Sequence, residues 1–549
     1  MKKMKCFLAL MLAVALGVTG CSGKADSKKK DDVEVQDDDS LHIIDDNYRN
    51  FYEVFLFSFC DSNGDGIGDI QGLISKLDYI NDGDDTTDTD LGCNGIWLMP
   101  FHLSPTYHKY DVEDYFSIDP VYGTLDDMKQ LIEECDKRGI KLIMDFVMNH
   151  TYTGHEWFDT AAKYLSELPE GKEPDSSECK YFDYYHFAKG KPSAGVYQRV
   201  VGTVDWYYEC KFSGNMPDLD LFNEDVRREY EEIAKYWLDM GIDGFRLDAA
   251  KEYESGNNEK NVEILTWFAS YVKNYKPDAY IVAEVFDSIG TYAQYLKSGI
   301  DSVFEFDLSK NTGYVAQTIN GMLSETCATN FGKKIAATIN TEKKFNENYI
   351  MAPFIGNHDI DRIAPGYAYN PDKIKIALGM LEMLNGSTFL YYGDELGMGG
   401  TGRDENKRAP VIWSSTDTSK NCNGPAAMEA NMVEYRFPSV EEQVKDPESI
   451  FNFTRKTIRL RNKYPEIARG EMTVLDTDNT NVLTMKKVYN DSQIIIVINT
   501  KNTEQKVTIS KSDNGFSSLR ETVAAASTQT ASLDGDTLTM PAFSIAILK

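Results

Sequence analysis

The sequence lacks three things: paired cysteine motifs, an excess of positive charge, and a second long apolar run. Nine cysteines are scattered over 549 residues, and setting aside Cys6 and Cys21 near the N-terminus leaves seven: Cys60, Cys93, Cys135, Cys179, Cys210, Cys327 and Cys422. An odd number without any C-x-x-C spacing excludes a zinc ribbon or a dense disulfide scaffold. One bridge, Cys179 to Cys210, fits the count but is not expected. Lys and Arg total 57 against 87 Asp and Glu, a net charge of −30. That balance removes the basic footprint that nucleic acids or other polyanions require and suits a neutral substrate or a cation. What is abundant is aromatic: 32 Tyr, 27 Phe and 6 Trp. Most must fill a core, but such rings also offer apolar faces to the C–H surfaces of sugars.

The N-terminus reads as an address. Lys2, Lys3 and Lys5 precede the apolar run CFLALMLAVALGV, which is short for a bilayer span and ends in Val18-Thr19-Gly20-Cys21. Basic start, apolar centre and small residues at the exit are the marks of a secretory signal. The cysteine after small residues resembles a bacterial lipobox, which makes Cys21 the expected lipidated residue and places the protein outside the cytoplasm on the cell membrane. The residues that follow, SGKADSKKKDDVEVQDDDS, are too poor in large apolar side chains to fold and read as a solvated tether.

Beyond the tether, short β-rich runs alternate with helical patterns. The strand candidates are 51–59, 95–100, 141–147, 244–248, 280–285, 302–307, 352–359 and 387–393; TLDDMKQLIEECDKRG and DVRREYEEIAKYWLDMG are typical of the helices, with Gly139 and Gly241 as C-terminal caps. Eight strand–helix units predict a (β/α)8 TIM barrel with its functional face at the strands' C-terminal ends. The rhythm breaks between the third and fourth strands, where a small inserted domain is expected; after about residue 465 the pattern turns to the alternation of an antiparallel β-sandwich. The expected organisation is therefore signal 1–21, tether 22–47, barrel 48–149 and 222–464, inserted domain 150–221 and C-terminal β-domain 465–549.

Four strand ends carry polar residues that a packed core would not select: DFVMNH (145–150), GFRLDAAKE (244–252), AEVFD (283–287) and FIGNHD (354–359). In this order they resemble the four signature regions of the α-amylase family, glycoside hydrolase family 13, and the resemblance extends over nearly the whole mature chain. It implies that Asp248 is the nucleophile, Glu284 the general acid/base and Asp359 the transition-state stabiliser, with Arg246, His150, His358, Tyr110 and Lys251 binding substrate. The chemistry is consistent: retaining glycosidases need two carboxyl groups with separated pKa values, one to attack the anomeric carbon and one to protonate the leaving oxygen.

Asp61-Ser62-Asn63-Gly64-Asp65-Gly66-Ile67-Gly68-Asp69 sets oxygen ligands at alternate positions around glycine turns, a pattern that wraps Ca²⁺. Gly72 stands where an EF-hand would place glutamate, so this is a calcium loop of another kind. Resemblance to oligo-1,6-glucosidase-like members implies ligation by Asp61, Asn63, Asp65, Asp69 and the Ile67 carbonyl. A second calcium, between barrel and inserted domain, is implied at Asn149 and Asp218, although Glu252 replaces the family's histidine there.

Ala249, Ala250 and Lys251 after the nucleophile resemble α-1,4-acting amylases. Asp111 and Arg408 instead resemble a pair that closes the cleft of exo-acting glucosidases. The reading is an α-amylase, with an exo-α-glucosidase of maltodextrin or oligo-1,6 type as the alternative. Transglycosylation through the same intermediate stays open, and an inactive glucan-binding lipoprotein is a remote reading because all three carboxylates are present.

Overall fold

The computed structural model describes residues 46–84, 86–321 and 327–549. The signal, Cys21 and nearly all of the expected tether lie outside the described residues. Seven parallel strands build the central sheet: β1 (Asn50–Val54), β2 (Gly95–Leu98), β3 (Lys141–Phe146), β4 (Gly244–Leu247), β5 (Tyr280–Ala283), β6 (Ser302–Val303) and β7 (Thr388–Tyr391). Their order is β7-β1-β2-β3-β4-β5-β6.

The eighth stave is not a ladder. The segment expected as strand 352–359 makes only two parallel bridges, Ala352 with Phe304 beyond β6 and Phe354 with Phe389 of β7. Pro353 lies between them and has no N–H to donate, so a continuous ladder is interrupted there. Its carbonyl still accepts from the Phe389 N–H at 3.0 Å. The sheet closes through these few contacts. A second departure concerns β1: the apolar run 51–59 stops being a strand at Val54 and turns into a short 3-10 helix, Leu56–Ser58.

Side-chain alternation splits the strands between two cores. Phe51, Trp97, Ile143, Tyr280, Val282, Phe304 and Phe389 pack together inside the barrel. Tyr52, Val54, Ile96, Phe245 and Ile281 face outward into the layer of helices. Helix α1 (Leu125–Lys137) is started by a capping box of Thr124 and Asp127. Helix α2 (Glu224–Met240) is started by Asn223, whose side chain accepts from the Asp225 and Val226 N–H groups, and is stopped by left-handed Gly241. Its buried stripe of Val226, Tyr230, Ile233, Ala234, Trp237 and Leu238 has helical spacing. Each large side chain in it contributes about 1.5–3 kcal/mol on burial.

The residues 150–221 hold a helix, Glu156–Glu167, and a three-stranded antiparallel sheet of 187–189, 206–209 and 197–199. At the C-terminal end, a five-stranded antiparallel sheet and a three-stranded sheet share a core of Val482, Val497, Val507, Leu538 and Met540. All seven described cysteines are free thiols, Cys179 and Cys210 included. No helix among the described residues is long and apolar enough to cross a membrane.

Gly244 opens β4 where a Cβ would overlap the carbonyl oxygen of Tyr280 in β5 and press on its nitrogen. Backbone cannot move aside as a side-chain tip can. Gly244→Ala is expected to destabilise the chain by about 1–3 kcal/mol, read as a lower urea midpoint; an unchanged midpoint would refute the close approach.

Candidate active site

Alternation along β4 sends Arg246 into the barrel, and Asp248, two residues on, emerges on the same side at the strand's end. Arg246 is wholly buried. Its Nη1 lies 2.8 Å from Asp145 Oδ1 and 2.6 Å from Asp248 Oδ1, and its Nη2 lies 2.9 Å from Glu284 Oε2. One guanidinium thus ties together carboxylates from β3, β4 and the end of β5. The Trp97 ring lies 5.0 Å from its centre and supplies a π-face. Trp97 Nε1 and the Tyr110 hydroxyl both donate to Asp145 Oδ2, at 3.2 and 3.0 Å.

Ala249 follows with φ of +48°, a left-handed turn that alanine adopts at a cost of about 1–2 kcal/mol. The turn aims the Ala249 N–H at Glu284 Oε2, 3.0 Å away. Burial raises the Glu284 pKa to about 7; the Asp248 and Asp359 charges add to the rise and Arg246 opposes it.

The segment after the incomplete eighth stave supplies the opposite wall. His358 Nε2 lies 3.0 Å from Asp359 Oδ2 and 2.7 Å from the Tyr110 hydroxyl, and Nδ1 lies 2.6 Å from Glu53 Oε1. Arg408 Nη2 donates to Asp359 Oδ1 at 3.0 Å. Burial works against ionisation of Asp359, but His358, Arg408 and Arg246 outweigh it and hold the carboxyl far below the usual range.

These groups surround a cavity of about 600 Å³ whose wall includes Tyr110, His150, Asp248, Lys251, Glu284, Asp359 and Arg408. Arg246 and His358 lie beneath it, buried. His150 is buried, and its Nε2 has no hydrogen-bond partner among the described residues. Lys251 is held by Asp287 at 2.7 Å. Half-exposed Phe212 and Phe286 also line the cavity.

One expected pairing is not made. Asp111 is fully buried and bonds to Ser104, Thr106 and Asn215, whereas Arg408 turns to Asp359 and, at 3.5 Å, to Asp404. Asp111 is therefore tied into the loop by Ser104, Thr106 and Asn215 rather than by Arg408. Two buried carboxylates have no role in the sequence reading: Glu53, and Asp145 at the head of the DFVMNH segment. Asp145 and Glu53 each interrupt an apolar strand run, and that interruption was the available signal.

In the loop 61–69, Gly64 and Gly66 take φ near +90°. Asp61 accepts from the Asn63, Gly64 and Gly66 N–H groups, Asn63 from Asp65, Asp65 from Ile67, and Asp69 from Ser62 and Gly72. The side chains curl onto their own loop. No group of three His, Cys, Asp or Glu suited to a metal occurs among the described residues. Asn149 and Asp218 do meet, but through a direct hydrogen bond of 2.9 Å, and the Lys211 N–H takes the other Asp218 oxygen at 2.7 Å.

The α-amylase catalytic-domain family model matches residues 53–470. Alpha-amylase 3 of Dictyoglomus thermophilum is 36% identical over 458 residues, covering 82% of this chain and 85% of that protein. The oligo-1,6-glucosidase of Parageobacillus thermoglucosidasius is 28% identical, covering 82% and 89%. The solved structure of Eubacterium rectale Amy13B superposes with a TM-score of 0.88 at 44% identity, covering 93% of this chain and 96% of that one. With the parallel barrel and the carboxylate-lined cavity at its strand ends, these likenesses establish that the chain belongs to the α-amylase family and is a glycoside hydrolase.

Proposed function

We propose that the chain is an α-amylase that opens internal α-1,4 bonds of starch-type glucans, with Asp248 as nucleophile, Glu284 as acid/base and Asp359 facing the charge that develops at the anomeric carbon. The observation that carries this reading is the shared guanidinium of Arg246. Carboxylates on its two terminal nitrogens sit close together, as direct attack in a retaining enzyme requires (about 5–5.5 Å). Glu284 would protonate the leaving oxygen as its bond to C1 breaks and Asp248 bonds to C1; Glu284 would then take a proton from water whose oxygen bonds to C1 and releases Asp248 as a carboxylate. Tyr110, His150, Lys251 and His358 would hold the sugar.

Endo action is favoured because Arg408 does not join Asp111 in a wall across the cavity, and because Phe212 and Phe286 offer exposed rings beyond the reacting site. The exo-glucosidase reading retains support from the oligo-1,6-glucosidase relative. With maltoheptaose, maltotriose and maltotetraose should appear early, and Asp248→Asn and Glu284→Gln should abolish turnover. Glucose alone, with stepwise shortening, would identify an exo-enzyme. In the same assay activity should fall as pH rises through about 7, because Glu284 must still hold its proton and its pKa is raised to about 7.

We also propose a structural Ca²⁺ in the 61–69 loop, held by Asp61, Asn63, Asp65, Asp69 and the Ile67 carbonyl. The alternate oxygens and the two glycine turns support it, and carboxylate lone pairs not used by backbone N–H groups would serve the ion. At the second site that the sequence implies, Asn149 and Asp218 are joined by one hydrogen bond of 2.9 Å, which an ion held there would have to replace. Calcium should raise Tm by several degrees over chelator-treated protein, and an identical Tm would remove the ion from the account.

Finally, we propose that Cys21 is lipidated and anchors the protein outside the cytoplasm. The lipobox-like sequence and the uncharged run before it support this. Full-length protein should fractionate with membranes, and Cys21→Ala should release it; equal partition of both would end the proposal.

A further inference from the structure

Glu53 is a carboxylate in the middle of a strand where nothing structural calls for one. It faces the barrel interior beside Phe51, and only 1% of its surface is exposed. Isolated there, an ion would cost several kcal/mol. It is not among the residues that line the cavity. Its near contact is His358 Nδ1, 2.6 Å away.

The His358 ring cannot turn to choose other partners. The Tyr110 ring is stacked against it at 5.6 Å, and Trp97 meets it edge-on at 5.6 Å. One ring nitrogen therefore faces Glu53 and the other faces Asp359 and the Tyr110 hydroxyl. A neutral imidazole has one N–H and one lone pair, so it would point that lone pair at one of the two carboxylates. Only the doubly protonated ring donates to both.

We propose that Glu53 is a positioning residue that keeps His358 an imidazolium, so that His358 always presents its Nε2 proton to Asp359 and to the sugar. The part concerning Asp359 rests on the function proposed above.

The surrounding charges agree. Burial disfavours the cation, but the Asp359 and Glu53 carboxylates outweigh it and raise the His358 pKa to about 9. Besides these, the ring meets the Tyr110 hydroxyl and feels the charge of Asp145 on β3, Arg246 on β4 acts on Glu53 instead, and Arg408 Nε donates to the His358 carbonyl at 3.3 Å. Asp394 and Tyr391 sense Glu53 from β7 and the turn after it. Burial raises the Glu53 pKa itself, while His358 and Arg246 pull it down.

The test uses histidine ¹³C NMR on the full chain, which has only seven histidines. His358→Asn identifies the signal. In wild type the His358 midpoint should lie near 9, and in the near-isosteric Glu53→Gln it should fall by about 2 pH units. Glu53→Asp should give an intermediate midpoint and keeps the test alive if Glu53→Gln folds poorly. At about pH 8, where the wild-type ring is still mostly protonated and the shifted one mostly is not, kcat of Glu53→Gln should drop about tenfold relative to wild type with KM little changed, and the same substitution should cost nothing further in His358→Asn. An unmoved midpoint, or an equal loss in the His358→Asn background, would overturn the proposal. The midpoint is read without turnover, so failure of the Asp359 assignment, tested by Asp359→Asn, would be seen separately.

Discussion

The buried guanidinium of Arg246 is the contact on which the mouth of the barrel depends. Three carboxylates and one cation, all nearly withdrawn from water, would repel or protonate in other combinations. Placing the cation on the same strand face as Asp248 makes the arrangement a property of β4 itself rather than of a flexible loop. The cost of desolvation is offset by short, charge-assisted hydrogen bonds and by the Trp97 face. The charge pattern that results is asymmetric. Glu284 is pushed toward its neutral form by burial, while Asp359, with His358 and Arg408 beside it, is held as an anion.

Much of this is legible in the sequence. Carboxylates and histidines placed where apolar strands stop are signals that a core would not produce by chance, and the structure gathers Asp248, Glu284, Asp359, His150 and Tyr110 around one cavity. The alternation of strands and helices gave the barrel, and the long irregular interval gave the inserted residues, because both depend on local periodicity.

What could not be read depends on partners distant in sequence. Glu53 and His358 are separated by 305 positions, and nothing local couples them. Position alone pairs Arg408 with Asp111, yet Arg408 bonds to Asp359 while Asp111 bonds to Ser104, Thr106 and Asn215. The segment 352–359 reads as a strand because its first half is apolar, but Pro353 cannot donate to a ladder. Composition marks which side chains will be buried, but not which of several buried donors reaches an acceptor first.

The incomplete eighth stave carries a further meaning. His358 and Asp359 hang from the part of the barrel wall with the fewest backbone hydrogen bonds, so their placement is inherited from side chains: Glu53 below, Tyr110 beside, Arg408 above. At that seam the ion pairs and hydrogen bonds around His358 and Asp359 supplement the two backbone bridges that close the sheet. A change to any of these side chains would therefore disturb the lining of the cavity and the weakest stretch of the barrel wall together.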